Sequence, residues 1–227
     1  MPVPVTITAI ERRTDDIRIL TLAPQMPFAF HAGQYLEITA PGLEPRHYSI
    51  ANPPAKDGHI ILHVRDMGNG LSHWLGSQAE IGDTAQIDGP YGAMRPEEAT
   101  GRPVYMIAGG MGVVPMLSIA QDIIRRGITE EGITLIYGTR TDADIYCRRE
   151  LEALASSGEL TVHGSVGAQT PDMTLRHLSP DLQNKVVYIS GPDPMLYNIM
   201  PVLKQHGLRE QRLFTDMDLT ILKGNGS

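Results

Sequence analysis

The sequence predicts two domains, a six-stranded antiparallel barrel followed by a doubly wound domain built on a parallel sheet. Up to about residue 100, short segments rich in β-branched and aromatic residues alternate with turns that contain Pro or Gly. Beyond Pro103, short apolar strands alternate with helical segments. The length of 227 residues also suits two domains better than one. We therefore expect domains at residues 1–100 and 101–227.

Six segments of the first domain have the composition of strands, and one has that of a helix. The predicted strands are 3–10, 17–22, 35–38, 48–51, 60–64 and 84–87, and the helix lies near 71–75. Short strands joined by turns in this way are typical of a small antiparallel barrel. The segment 99–103, Ala-Thr-Gly-Arg-Pro, is expected to link the domains.

The second domain alternates between the two element types. Strands are predicted at 104–108, 133–137, 160–163 and 186–190, and helices at 113–126, 147–157 and 194–206. Apolar strands that alternate with helices form parallel sheets covered on both faces. Because such sheets bind ligands at the carboxyl ends of their strands, we expect a nucleotide there.

Composition narrows the range of partners. The formal net charge of −7 disfavours nucleic acid and anionic membranes, and no apolar run approaches the ~20 residues of a membrane helix. The single cysteine, Cys147, excludes an internal disulfide framework and a four-cysteine zinc or iron–sulfur site, and no metal site is predicted. The N-terminal residues do not have the pattern of a signal peptide, so a cytoplasmic location is expected.

The segment 46–49, Arg-His-Tyr-Ser, is suited to binding a flat phosphorylated ring. Alternation along an extended stretch makes Arg46 and Tyr48 face one way. The forked donors of Arg match a phosphate, and Tyr stacks on aromatic rings. On these residues alone, a surface Arg beside a core Tyr is an equal alternative.

Two Gly-rich turns follow strands of the second domain. In Gly109-Gly110-Met111-Gly112 the glycines allow close approach of a ligand, and the helix that follows offers free N–H groups. The turn 190–195, Ser-Gly-Pro-Asp-Pro-Met, repeats this arrangement, with Asp193 expected to cap the next helix. Because the first turn lacks the dinucleotide G-x-G-x-x-G spacing, an ordinary strand-to-helix turn remains open for each.

In this order and spacing, Arg-x-Tyr-Ser, Ala-Gly-Gly-x-Gly-x-x-Pro and Gly-x-x-Pro-Met resemble the ferredoxin–NADP reductase superfamily over nearly the whole chain. The likeness is to NAD(P)H:flavin reductases and oxygenase reductases without an iron–sulfur domain. It implies a flavoprotein reductase in which hydride passes from the nicotinamide to flavin N5. By resemblance, Arg46 contacts the flavin phosphate, Tyr48 lies along the isoalloxazine or ribityl chain, and Ser49 approaches N5. Further flavin-binding residues implied are His63, Val64, Arg65, Gly70, Leu71 and Ser72.

The resemblance also implies a nicotinamide site. Ser190 stands where relatives often place a Cys beside the nicotinamide carboxamide, so Ser49 and Ser190 are the expected catalytic residues. Met111 stands where many relatives place a Thr, and Phe214 is the nearest candidate for a terminal aromatic residue that shields the flavin. The other nucleotide-binding residues expected are Gly109, Gly110, Gly112, Arg140, Gly191, Pro192, Asp193 and Met195.

Cofactors and acceptor follow from the same resemblance. FAD is the expected flavin, with FMN possible. NADH is slightly preferred over NADPH because the strand end 163–166 carries no Arg, although Arg140 could reach the adenosine. With one cysteine and no further domain, the electrons are expected to pass to a separate ferredoxin or oxygenase component. Two alternatives stay open, a reductase that uses free flavin as substrate and a non-catalytic electron-transfer or redox-sensing subunit.

Overall fold

A computed structural model describes residues 1–168 and 170–216 of the chain. The chain divides into two compact units, Met1–Gly92 and Ala93–Ser227. The predicted domain ranges, 1–100 and 101–227, place the boundary in the linker instead, and they stay predictions. Within the described residues, every helix is too short or too polar to cross a lipid bilayer.

The first unit is a curled antiparallel sheet of six strands, which confirms the predicted barrel-like fold. The strands are β1 (Val3–Arg12), β2 (Ile17–Pro24), β3 (Tyr35–Thr39), β4 (Arg46–Ser49), β5 (Ile60–Arg65) and β6 (Thr84–Tyr91). Their order in the sheet is β4-β3-β6-β1-β2-β5, so β4 and β5 are its edges. Alternate apolar side chains, among them Leu20, Leu36 and Leu62, face inward and form one core.

A single helix interrupts the strands of the first unit. Helix α1 (Gly70–His73) continues into one wider π-helical turn, Trp74–Gln78. Leu71 and Leu75 are 1% and 0% exposed and join the sheet core, which fixes the helix against the sheet. The helix predicted near 71–75 is thus present and extends a little further at each end.

The second unit is a five-stranded parallel sheet with helices, and it confirms the predicted doubly wound class. The strands are β7 (Val104–Gly109), β8 (Ile133–Thr139), β9 (Leu160–Val166), β10 (Val186–Ser190) and β11 (Leu213–Thr215). The helices are α2 (Val113–Arg126), α3 (Arg148–Ala155), α4 (Pro171–Leu178) and α5 (Asp193–Gln205). Helix α2 packs against α3, and α4 against α5. The sequence did not predict α4 or β11.

Strand order determines where this sheet can bind a ligand. The strand order in this sheet is β11-β10-β7-β8-β9. From β7 the chain adds β8 and β9 on one side, and then adds β10 and β11 on the other side, so β7 and β10 are direct neighbours. In open parallel sheets such a reversal leaves a crevice at the carboxyl ends of the two strands. The two Gly-rich turns of the sequence follow these two strands.

Candidate functional site

The edge strands β4 and β5 meet at a narrow junction and then separate. Ile50 and Leu62 form an isolated bridge, and the Ala51 N–H donates to the Ile61 carbonyl at 2.8 Å. On one side of this junction, residues 46–49 pair with β3 and residues 63–65 with β2. Within the described chain no ladder joins these two segments to each other. We call this arrangement the β4–β5 fork, and its two inner edges offer backbone N–H and C=O groups to a ligand.

Asn52 holds the closed end of the fork. Its side chain is buried, and its Nδ2 donates to the carbonyl oxygens of Pro53 at 3.0 Å and His59 at 3.1 Å. Its Oδ1 accepts a hydrogen bond from the Ile61 N–H at 2.7 Å. One side chain therefore ties the segment after β4 to the start of β5, and sets where the strands begin to separate.

The predicted flavin residues of β4 line one arm of the fork. Arg46 and Tyr48 pair with Ile38 and Leu36, two residues apart, so they project from the same face of the strand. Burial raises the pKa of Tyr48 to about 12, an effect that the nearby Arg46 guanidinium opposes. The phenol is therefore a neutral hydrogen-bond donor at pH 7, while Arg46 is exposed and available to an anion. Ser49 is half-buried, next to the junction.

On the other arm, β5 offers its backbone more readily than its side chains. Val64 points into the core, and Arg65 Nε lies 3.2 Å from the Asp16 carboxylate. His63 is buried, and burial, with a smaller contribution from Arg13, lowers its pKa to about 4. His63 is therefore neutral at pH 7. Val64 is 0% exposed and therefore inaccessible to a ring in the fork, whereas contacts from His63 and Arg65 would come mainly from the main chain.

The turn before α1 has the form of an anion site. Gly68 and Gly70 have positive φ angles of 78° and 56°, which an L side chain rarely adopts. The Ser72 hydroxyl donates to the Asn69 carbonyl at 3.0 Å, and no side chain caps the helix. The first N–H groups of the helix thus remain for a ligand. Leu71, a predicted site residue, has its side chain in the core and could contribute only its backbone.

In the second unit, the two Gly-rich turns contact each other. A Cβ on Gly112 would lie 2.1 Å from the Ser190 carbonyl oxygen, and a Cβ on Gly109 would lie 2.7 Å from Met195 Sδ. These glycines therefore allow the turns to pack together, in addition to any role in ligand approach. Gly110 differs, because a Cβ there would meet nothing within 4 Å. Gly110 marks the open side of the crevice.

Ser190 has a partner that the sequence analysis missed. Ser190 is 5% exposed. Its hydroxyl donates a hydrogen bond to Asp216 Oδ2 at 2.7 Å, across the carboxyl ends of β10 and β11. Asp216 Oδ1 is buried and has no hydrogen-bond partner among the described residues. Burial raises the pKa of Asp216, and the hydrogen bond from Ser190 opposes that rise. A strand of three residues has no readable periodicity, so only the position of Asp216 soon after Phe214 could have indicated it.

Three other predicted residues lie at or near this edge. Arg140 is exposed after β8, and Met111 is half-buried in its turn. Phe214 lies within β11, where its ring is 5.6 Å from the ring of Tyr188, so its side chain packs on the sheet.

The second Gly-rich turn leads directly into α5. Gly191 and Pro192 separate Ser190 from the helix, and Pro192 occupies the N-cap position. The expectation that Asp193 caps this helix is wrong. The helix begins at Asp193 itself, and no side chain caps it.

Comparison with known proteins identifies both units. Residues 4–95 match the family model described as the oxidoreductase FAD-binding domain, and residues 106–199 match the oxidoreductase NAD-binding domain. The chain belongs to the ferredoxin–NADP reductase superfamily. Both predicted cofactor classes, FAD and a nicotinamide nucleotide, are therefore confirmed at the level of the domains.

Relatives in this superfamily include reductase components of oxygenases. The chain is 28% identical to the phenol 2-monooxygenase reductase component DmpP of Pseudomonas sp. strain CF600, with 97% of this chain and 66% of the relative covered. It is 31% identical to terephthalate 1,2-dioxygenase reductase component 2 of Comamonas sp., with 84% and 60% covered. Among solved structures, the Amycolatopsis cytochrome P450 reductase GcoB superimposes with a TM-score of 0.83 at 25% identity, covering 95% of this chain and 69% of that one. The chain thus spans about two thirds or less of the curated relatives it matches.

Proposed function

We propose that the chain is an NAD(P)H-dependent flavoprotein reductase that passes electrons to a separate acceptor, a ferredoxin or an oxygenase component. The observation that carries the proposal is the β4–β5 fork, within the FAD-binding domain match. A flavin ring has hydrogen-bonding groups along its edge, and the fork has two facing backbone edges without ladder partners in the described chain. The NAD-binding match in the same chain supplies the second half of the reaction.

The flavin-binding residues fit a phosphorylated isoalloxazine. Tyr48 lies beside the fork and its phenol is neutral. Ser49 lies next to the junction of the fork, where the Ser49 hydroxyl could form a hydrogen bond with flavin N5. Exposed Arg46 and the uncapped first turn of α1, with Ser72, are suited to the phosphates. Bound flavin supplies the hydride-accepting and one-electron chemistry, and the protein supplies position and exclusion of water.

The proposed nicotinamide-binding residues lie at the carboxyl ends of β7 and β10, where the strand order of the second sheet changes side. Because the Ser190 hydroxyl donates to Asp216, its lone pairs are available to accept an N–H of a carboxamide. The hydrogen bond to Asp216 by itself fixes the direction of the Ser190 hydroxyl. Gly110, on the open side of the crevice, allows the ring to approach the main chain closely.

We also propose NADH as the preferred donor. The Ser165 hydroxyl at the end of β9 is buried and hydrogen-bonded to the Thr174 hydroxyl at 2.6 Å, so it is not available to a 2′-phosphate. Arg140 is exposed and directly follows the end of β8. The cytoplasm, which supplies reduced nicotinamide nucleotides and keeps a single thiol reduced, is the compartment we propose.

A visible absorbance spectrum of the purified full chain tests the proposal. We expect flavin bands near one flavin per chain, which bleach when NADH is added without oxygen. Arg46→Ala should lower the flavin content, while Arg176→Ala, an exposed Arg of α4, should not. A colourless protein that reduces added FMN or riboflavin would instead support a reductase of free flavin. No NADH-dependent reduction of bound flavin, free flavin or ferricyanide would overturn both readings.

A further inference from the structure

We propose that Asp66 is a positioning residue that holds the turn 66–70 in the shape that binds the phosphate of a flavin nucleotide. The inference deepens the proposed function, and rests on its assignment of that phosphate to the first turn of α1. Asp66 lies outside the motifs that indicated a flavin site. It follows Arg65 at the end of β5, and the turn leads from it into the helix.

The Asp66 carboxylate contacts three parts of this segment: the turn, the first helical segment and the wider turn that follows it. Asp66 Oδ1 accepts a hydrogen bond from the Gly68 N–H at 2.7 Å, inside the turn. Asp66 Oδ2 lies 2.9 Å from His73 Nδ1, at the end of the first helical segment, and also accepts a hydrogen bond from the Ser77 hydroxyl. The turn and both parts of the helix are therefore tied to one side chain.

The helix also packs closely on Asp66. A Cβ on Gly76 would lie 2.7 Å from Asp66 Cβ, so a side chain at Gly76 would push the helix away. From β2, Arg18 donates to the carbonyl oxygens of Ser77 at 2.7 Å and Ala79 at 3.2 Å. The far end of the helix is thus held by Arg18 as well as by Asp66, and Asp66 alone of these two also holds the turn before the helix. Together they fix the direction in which the first N–H groups point.

A carboxylate beside a phosphate site needs such compensation. An ionised Asp repels a phosphate, and donors that point at the carboxylate weaken this repulsion by directing their dipoles towards the charge. Hydrogen bonds from Ser77, then Gly68, and then His73 lower the pKa of Asp66 to about 2. An amide at this position would offer a single acceptor oxygen and no charge, so it could not hold the same three donors equally well. The hydrogen-bonded carboxylate therefore keeps the turn ordered.

The test compares flavins with and without phosphate on the full chain stripped of flavin. Dissociation constants for riboflavin, FMN and FAD are measured by fluorescence quenching for Asp66→Asn and for the control Asp83→Asn. Asp83 Oδ2 accepts the Glu80 N–H at 2.9 Å in another turn of the same unit. We expect Asp66→Asn to weaken FMN and FAD binding about tenfold while riboflavin binding is unchanged. The control should leave all three constants unchanged.

The outcomes separate this inference from the site assignment. An equal loss of riboflavin and FMN affinity would mean that Asp66 supports the fold alone, and unchanged FMN affinity would equally overturn the inference. Ser72→Ala is measured in parallel. If it weakens FMN relative to riboflavin and Asp66→Asn does not, only the inference fails; if neither variant does, the proposed phosphate site fails. Should Asp66→Asn not fold, Ser77→Ala removes one donor of the same network, and must give a smaller loss confined to FMN and FAD.

Discussion

Ser190 and Asp216 are joined by a 2.7 Å hydrogen bond across the carboxyl ends of the parallel strands β10 and β11, where the second Gly-rich turn begins. The serine hydroxyl faces a carboxylate whose second oxygen has no partner among the described residues. Such a pair stabilises one orientation of the hydroxyl and leaves a buried charge poorly solvated. The two effects have opposite consequences for activity and stability.

Asp216→Asn should therefore slow the reaction and stabilise the fold. Burial raises the pKa of Asp216, so ionised Asp216 is disfavoured in the folded state and lowers stability at neutral pH. Removing the charge should raise Tm, by about 2–4 °C for each kcal/mol gained. Because a neutral amide oxygen accepts the Ser190 hydroxyl more weakly than a carboxylate does, the hydroxyl should be oriented less well, and NADH-dependent flavin reduction should slow about tenfold, measured by stopped flow. Asp181→Asn, an exposed control, should change neither quantity, and a lower Tm for Asp216→Asn would contradict this account.

Nicotinamide selectivity should depend on Arg140. It is exposed after β8, whereas the Ser165 hydroxyl is already bonded to Thr174. We expect a higher kcat/KM with NADH than with NADPH. Arg140→Ala should lower kcat/KM for NADPH about fivefold, the effect of an exposed ion pair of about 1 kcal/mol, and leave NADH unaffected. An equal loss with both nucleotides would mean that Arg140 does not contact the 2′-phosphate.

His63 should make stability fall on mild acidification. Its folded pKa of about 4 lies below the unfolded value of 6.5, so the unfolded chain binds the proton first. The contribution is complete above pH 6.5 and is lost as pH falls towards 4, a change of about 3 kcal/mol in the free energy of unfolding. Urea unfolding of the flavin-free chain at pH 7 and pH 4.5 measures it. His63→Gln should show a smaller difference, while His177→Gln, in an exposed position, should behave as the original chain.

Gly112→Ala tests the contact between the two nucleotide turns. Its Cβ would lie 2.1 Å from the Ser190 carbonyl oxygen, so the turns must move apart. We expect a loss of about 1–3 kcal/mol in stability and slower reduction by NADH, with the flavin content unchanged. Gly164→Ala, where a Cβ would meet nothing within 4 Å, is the stability control. Equal melting temperatures for both variants would show that the turns tolerate separation.

Sequence patterns predicted those elements whose signals are local. The bounds of α2 were predicted correctly because an amphipathic stretch lies between Gly112 and Gly127, and Gly127 adopts the left-handed conformation that ends the helix. Strand β4 was predicted two residues late. Ile50 and Ala51 are apolar like a strand but leave the β3 ladder to join β5, and composition does not say which strand a residue pairs with.

The site shows the same limit. Arg46, Tyr48 and Ser49 could be predicted as site residues because they stand together in one motif, and their roles stay predictions. Asn52, Asp66 and Asp216 act through partners that are distant in sequence or on very short elements, and polar residues of this kind look like ordinary turn residues until the fold is known. Helix α4 was also missed, although α3 has the same length of eight residues and was predicted.

The β4–β5 fork has a consequence for how the chain behaves before it acquires a flavin. Two strand edges, residues 46–49 and 63–65, have no ladder partner on one side among the described residues, and unpaired edges can pair with the strands of other molecules. A ring seated between them would cover both at once. Chains synthesised faster than flavin is supplied should therefore self-associate through these edges, and added riboflavin during expression should raise the yield of monodisperse protein on size-exclusion chromatography.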